Sequence, residues 1–153
     1  MITDIVIHNS VSSRDKTTIQ DLDAWHKLRW PDFRSSLGYW VGYHYVILGN
    51  GQVIQTRKDE ELGAHVLNQN KGKIGICLTG NFQLEAPSEA QIASLSYLTD
   101  RLKLTYGIKD IKAHREFLKT ECCGEELYKW VLEQRISWIK KLIDFLLKSR
   151  IIK

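Results

Sequence analysis

Short β-branched runs alternate along this chain with stretches of helical periodicity. Ile5-Val6-Ile7 is apolar without interruption, the pattern of a buried strand, and it runs out into the polar His8-Asn9-Ser10. Between Thr18 and Leu28 the residues Ile19, Leu22, Trp25 and His26 recur near helical spacing, which predicts a helix. Residues 29–42 are rich in aromatics, Gly and Pro and read as a loop. Tyr43–Leu48 and Gln52–Gln55 flank Gly49-Asn50-Gly51; Asn-Gly between two β-rich runs predicts a hairpin, because both residues tolerate positive φ. Lys73–Thr79 predicts another strand, closed by Gly80-Asn81. Pro87-Ser88 opens a second helix, with Ser88 and Gln91 placed for a capping box and Ile92, Leu95, Leu98 and Leu102 carrying the period to Gly107. Ile108–Ala113 predicts a short strand ending at His114, and Glu126–Lys148 a long closing helix. The pattern is mixed α/β, with polar and titratable residues at strand ends.

Length and composition narrow this to one domain. The chain has 153 residues, 43% of them hydrophobic and 26% charged, which fits a single core spanning residues 1–153. No run approaches the roughly 20 apolar residues of a membrane span, and MITDIVIHNS has no basic region, long apolar region or cleavage site of a signal peptide. Synthesis in the cytoplasm is therefore expected. Charge is unevenly placed: residues 133–153 hold six basic and two acidic side chains, a net +4 equal to that of the whole chain. The body is neutral. Residues 126–153 read as a basic amphipathic helix, with Ile136, Ile139, Leu142, Ile143, Leu146 and Leu147 at helical spacing and Lys140, Lys141, Lys148 and Arg150 supplying charge. Such a helix either packs as an ordinary closing element or makes peripheral contact with an anionic wall or membrane surface.

Three cysteines, two of them adjacent, do not make a disulfide framework. Cys77, inside the apolar run IGICL, reads as a small core residue. Of Cys122 and Cys123, one is better explained as a metal ligand or nucleophile. His8 and His114 follow short strands, and Cys122 sits eight residues after His114 in a Thr-Glu-Cys-Cys-Gly turn. Two imidazoles and a thiolate suit zinc, and three protein ligands leave a fourth position for water, the catalytic kind of site. Spacing alone makes this a weak signal.

The surrounding words are more specific. "IVIHNS", "GYHYVILGNGQVIQTR", "GAHV", "NKGKIGICLTGNF" and "AHREFLKTECCG" occur in this order. Together, over roughly residues 4–128, the chain resembles the type 2 N-acetylmuramoyl-L-alanine amidases, a family that includes small phage amidases and animal peptidoglycan recognition proteins. The resemblance implies a single α/β domain with a central mixed β-sheet flanked by helices and a zinc site at strand ends. It implies one Zn2+ per chain on His8, His114 and Cys122. It places Tyr43 near the zinc-bound water and Thr120 two residues before the third ligand, where many phage members have lysine. Cys123 stands where the family commonly has proline, so a second thiol adjoins the ligand and could compete for the metal. His65 matches a position beside the substrate groove, with substrate contact and a structural role both open. Asn70 matches an asparagine that braces a turn. Trp30 and Trp40 are candidates for lining the groove, Trp40 the stronger. Of the remaining histidines, His26 reads as a surface or packing residue, and His44, one past Tyr43 on a strand, is expected to face away from the site.

The implied activity is zinc-dependent hydrolysis of the amide between N-acetylmuramic acid and L-alanine. Peptidoglycan is the expected partner, with no nucleic acid and a monomeric state. The compact chain looks like a phage or prophage endolysin held in the host cytoplasm until it reaches the wall. A peptidoglycan-binding module without catalysis and a cytoplasmic recycling amidase are the alternatives.

Overall fold

The computed structural model describes residues 1–108 and 110–151, without the side chains of 138, 141, 142, 144–146 and 148–151. Its elements, in chain order, are β1 (Asp4–Asn9), α1 (Ile19–Arg29), β2 (Tyr45–Ile47), β3 (Val53–Gln55), β4 (Lys73–Leu78), α2 (Glu89–Tyr106), β5 (Ile111–Ala113), a 3-10 turn (His114–Glu116) and α3 (Glu125–Ile151). The five strands form one sheet in the order β3-β2-β4-β1-β5. All neighbours are parallel except the β2–β3 hairpin. The expected single mixed sheet flanked by helices is present.

The central strands are covered on both faces, which is why they read as continuous apolar runs. One face sends Ile5, Ile7, Ile74, Ile76 and Leu78 against Leu95, Leu98 and Leu102 of α2 and Leu127, Trp130 and Val131 of α3. On the other face Val46 joins Ile19 and Leu22 of α1 and Val41 of the following loop. Because side chains alternate along a strand, Val6 and His8 point opposite to Ile5 and Ile7, away from the main core.

Local chemistry sets the helix ends. Thr18 and Asp21 close a capping box at the start of α1, and Ser88 and Gln91 close another at α2. Gly107 ends α2 in the left-handed conformation. The hairpin differs from expectation: only Gly51 of the Asn-Gly pair has positive φ, and the loop runs from Leu48 to Gln52, closed by Leu48 N–H donating to Gln52 C=O at 3.0 Å. Tyr43 and His44, expected in the strand, precede it. Among the described residues no helix is long and apolar enough to cross a membrane. Of the basic residues singled out in α3, the side chains of Lys141, Lys148 and Arg150 lie outside the described residues, as do those of Leu142 and Leu146; Lys140 is exposed.

Candidate metal centre and active site

Parallel pairing brings the first two donors together. Ile7 of β1 stands opposite Ala113 of β5, so the next residues, His8 and His114, emerge side by side at the carboxyl ends of their strands. Ligands in α/β sheets gather at this edge. The two imidazole centroids are 4.5 Å apart. Cys122 arrives on the turn before α3. That turn is pinned by Arg115, whose backbone N–H donates to Cys122 C=O at 3.0 Å and whose guanidinium donates to Glu121 C=O at 2.7 Å. Gly124 ends it at φ +85°, against the backbone of Phe82, where a side chain has neither the conformation nor the room.

Donor atoms of His8, His114 and Cys122 all lie within 4.8 Å of one another, with Cys122 Sγ 3.9 Å from His8 Nδ1. A tetrahedral zinc ion with bonds of about 2.0–2.3 Å holds its donors roughly 3.3–3.6 Å apart. Closing the cluster to that spacing takes shifts well under an ångström for the His8–Cys122 pair. His114 Nε2 is buried without a hydrogen-bond partner, an orphaned polar atom that a metal would satisfy. Burial, helped by His65 and His114, drives the His8 pKa well below 6.5, so His8 is neutral and its lone pair is available. Burial pushes the Cys122 thiol up to about 11, while the Asn9 backbone N–H, 3.5 Å from Sγ, and the Arg115 charge act the other way. A bound cation would draw this thiol to thiolate, which the Asn9 N–H is already placed to receive.

Three further groups surround the donors. His65 Nδ1 is 3.1 Å from His8 Nε2, on the far side of the His8 ring from the nitrogen that faces Cys122. The His65 ring is only 8% exposed. It is held close by two glycines: a Cβ on Gly75 would lie 2.7 Å from the ring, and one on Gly63 would lie 2.6 Å from it. That burial leaves little of the ring's surface open, with Nδ1 turned to His8. Tyr43 packs its ring 5.1 Å from that of His8 and stays a neutral phenol because burial raises its pKa. Thr120 Oγ1 accepts the Cys122 backbone N–H at 3.3 Å, which leaves its own proton free to donate.

The remaining candidates sort by their contacts. Cys123 is fully buried in the main core, so the second thiol points away from the donor cluster. Trp40 has Lys27 Nζ 4.4 Å and Arg34 Cζ 4.6 Å from its ring, and donates its indole N–H to Pro31 C=O. These contacts are with α1 and with the loop around it. Trp30 packs on His26 and Arg29. Asn70 accepts the N–H groups of His65 and Val66 and so shapes the turn that presents His65. His44 does not face away: its ring is 5.6 Å from that of His65, with Nδ1 accepting the Gly75 N–H and Nε2 on Glu61 C=O. Strand alternation failed there because His44 precedes β2.

Sequence reasoning passed over two contributors. His26 accepts the Gly42 N–H at 2.8 Å and stacks near Tyr43, fixing the segment that carries the tyrosine. Asn9 supplies the N–H to Cys122 through its backbone, which no residue-type signal reveals.

Comparison with known proteins follows the same lines. The N-acetylmuramoyl-L-alanine amidase family profile matches residues 1–125. The endolysin of Enterobacteria phage K11 is 29% identical over 119 residues, 74% of this chain and 74% of that protein. Peptidoglycan-recognition protein SD of Drosophila melanogaster is 34% identical over 105 residues, 67% of this chain and 56% of that protein. Among solved structures, N-acetylmuramoyl-L-alanine amidase LysC from Clostridium intestinale superposes with a TM-score of 0.72 at 31% identity, covering 82% of this chain and 78% of that one.

Proposed function

Because this chain belongs to the N-acetylmuramoyl-L-alanine amidase family, we propose that it hydrolyses the amide joining N-acetylmuramic acid to L-alanine in peptidoglycan, with one zinc ion on His8, His114 and Cys122. The observation that carries this reading is the convergence of two imidazoles and a thiol within 4.8 Å at one sheet edge. Zinc held there supplies a Lewis acid that activates water and polarises the scissile carbonyl.

The chain's own groups have separable tasks. For His8 to offer Nδ1, its proton must sit on Nε2, and His65 Nδ1 accepts that proton's hydrogen bond. Asn9 N–H stabilises sulfur as thiolate. Thr120 donates a hydrogen bond from its hydroxyl to the oxyanion of the tetrahedral intermediate, and the protonated Tyr43 phenol orients the attacking water or donates a hydrogen bond to the same oxyanion. One such donor is typically worth about 2.7–4 kcal/mol in the transition state.

Similarity to phage endolysins supports a lytic role at the wall, after release from the host cytoplasm. Similarity to a peptidoglycan recognition protein supports a second reading, in which the groove binds wall fragments without cutting them. Turbidity of a purified wall suspension separates the two. Clearing that stops with a chelator and returns with zinc supports hydrolysis. Wall binding with no clearing, with or without zinc, overturns it.

A further inference from the structure

Helix α3 runs from Glu125 to Ile151, and among the described residues its buried side chains and its hydrogen bonds to the body lie between Glu125 and Arg135. Leu127, Trp130 and Val131 are buried in the main core, and Arg135 ties the helix to β5 through Asp110, Ile111 C=O and Glu116. The family match ends at residue 125, where α3 begins. Leu132, Ile136, Ile139, Ile143 and Leu147 are each between 38% and 55% exposed. At about 100° per residue these five positions fall within an arc of about 80°, and at about 1.5 Å per residue they run for roughly 22 Å. The same geometry sets Leu127, Trp130 and Val131 on roughly the opposite side of the helix. A continuous apolar stripe therefore faces away from the body, which is unusual for a helix that only closes a core.

Charge decides what covers it. Residues 133–153 carry six basic and two acidic side chains, and the rest of the chain is neutral overall. A second copy of this chain would bring two such segments together. Antiparallel pairing about Ile139 and Ile143 would set Lys140, which is exposed beside the stripe, near its own copy. Wall polymers offer negative charge but no apolar phase for five aliphatic side chains. An anionic phospholipid bilayer offers both. We infer that α3 from Leu132 onward is a docking surface for anionic membrane, lying in the interface plane with the Leu132–Ile136–Ile139–Ile143–Leu147 stripe in the acyl boundary and the exposed Lys140 beside it at the level of the headgroups. This reading is independent of the hydrolytic one, since its test contains no peptidoglycan.

Co-sedimentation of the zinc-loaded full chain with vesicles tests it. One set is an equimolar mixture of phosphatidylglycerol and phosphatidylcholine; the other is phosphatidylcholine alone. Binding to the anionic set should be stronger by at least about tenfold at low salt, and should weaken as salt shortens the Debye length to about 8 Å. The Ile136→Ser/Ile139→Ser/Ile143→Ser variant should lose at least about tenfold in that binding while keeping zinc content and the thermal transition of the body. The Lys140→Gln/Lys141→Gln/Lys148→Gln/Arg150→Gln variant should lose the preference for anionic lipid. Equal binding to both vesicle sets, or a serine variant that sediments like the parent, overturns the proposal. A parent dimer in sedimentation equilibrium that the serine variant dissolves, without vesicle binding, assigns the stripe to a second copy instead. Binding to wall polymers but not to vesicles, lost with the glutamines and kept with the serines, assigns the tail to charge alone.

Discussion

Replacing His65 with leucine should weaken zinc binding without touching a ligand. His8 is buried, and its Nε2 has His65 Nδ1 as partner at 3.1 Å. Leucine is of similar bulk and fills the space between Gly63 and Gly75, but it accepts no hydrogen bond. The His8 N–H is then left buried and unpaired whenever Nδ1 is on the metal, a cost of about 1–3 kcal/mol. That converts to a loss of roughly 5- to 150-fold in zinc affinity, which brackets the roughly 10- to 100-fold typical when the outer partner of a metal histidine is removed. His65→Gln retains an acceptor and should recover most of the loss. Gly75→Ala supplies an independent perturbation: its Cβ would lie 2.7 Å from the His65 ring, so zinc affinity should fall although His65 is present. Competition against a chromophoric chelator at neutral pH measures all three, with far-UV circular dichroism to check folding. A folded leucine variant that binds zinc as tightly as the parent would refute the support role of His65.

Other outcomes follow from the same geometry. Cys122→Ser should lose zinc, whereas Cys123→Ser should keep it and lower stability by about 1–3 kcal/mol by placing a hydroxyl in the core; metal analysis and thermal melts distinguish them, and the reverse pattern would reassign the ligand. Tyr43→Phe should lower kcat by roughly 10²–10³ with zinc retained; unchanged kcat would remove the phenol from the mechanism. His26 is held at a pKa of about 4, against 6.5 unfolded, chiefly by burial. The unfolded chain therefore binds its proton first, so the stability contributed by neutral His26 is complete above about pH 6.5 and is lost as pH falls toward 4. Denaturant titrations should show a shallower acid loss for His26→Asn; an identical slope would exclude His26 as a contributor.

What the sequence revealed depended on how local the cause was. Capping at Ser88 and Gln91, the left-handed Gly107 and the β-branched Ile5-Val6-Ile7 run are decided by near neighbours, and each lies where the residue pattern predicts. The single mixed sheet was legible because its parallel strands read as unbroken apolar runs separated by helical periods. The start of β2 was not. Tyr43 and His44 look like strand residues, but the His44 ring is tied to Gly75 and Glu61, contacts 31 and 17 residues distant that hold this stretch ahead of the strand. In the same way, nothing in the letters of Gly63, Ala64 and His65 tells that the imidazole lies against His8. The glycines of "GAHV" and "IGIC" carry that information only once the ring between them is seen. The choice between Cys122 and Cys123 was likewise beyond residue type, since it rests on which side of one turn faces the sheet edge.

The central claim is which bond is cut. Mass spectrometry of purified peptidoglycan digested with the zinc-loaded protein tests it most directly. Hydrolysis as proposed releases free peptides with an L-alanine amino terminus and leaves glycan strands unshortened. New reducing sugar ends without new amino termini would contradict it.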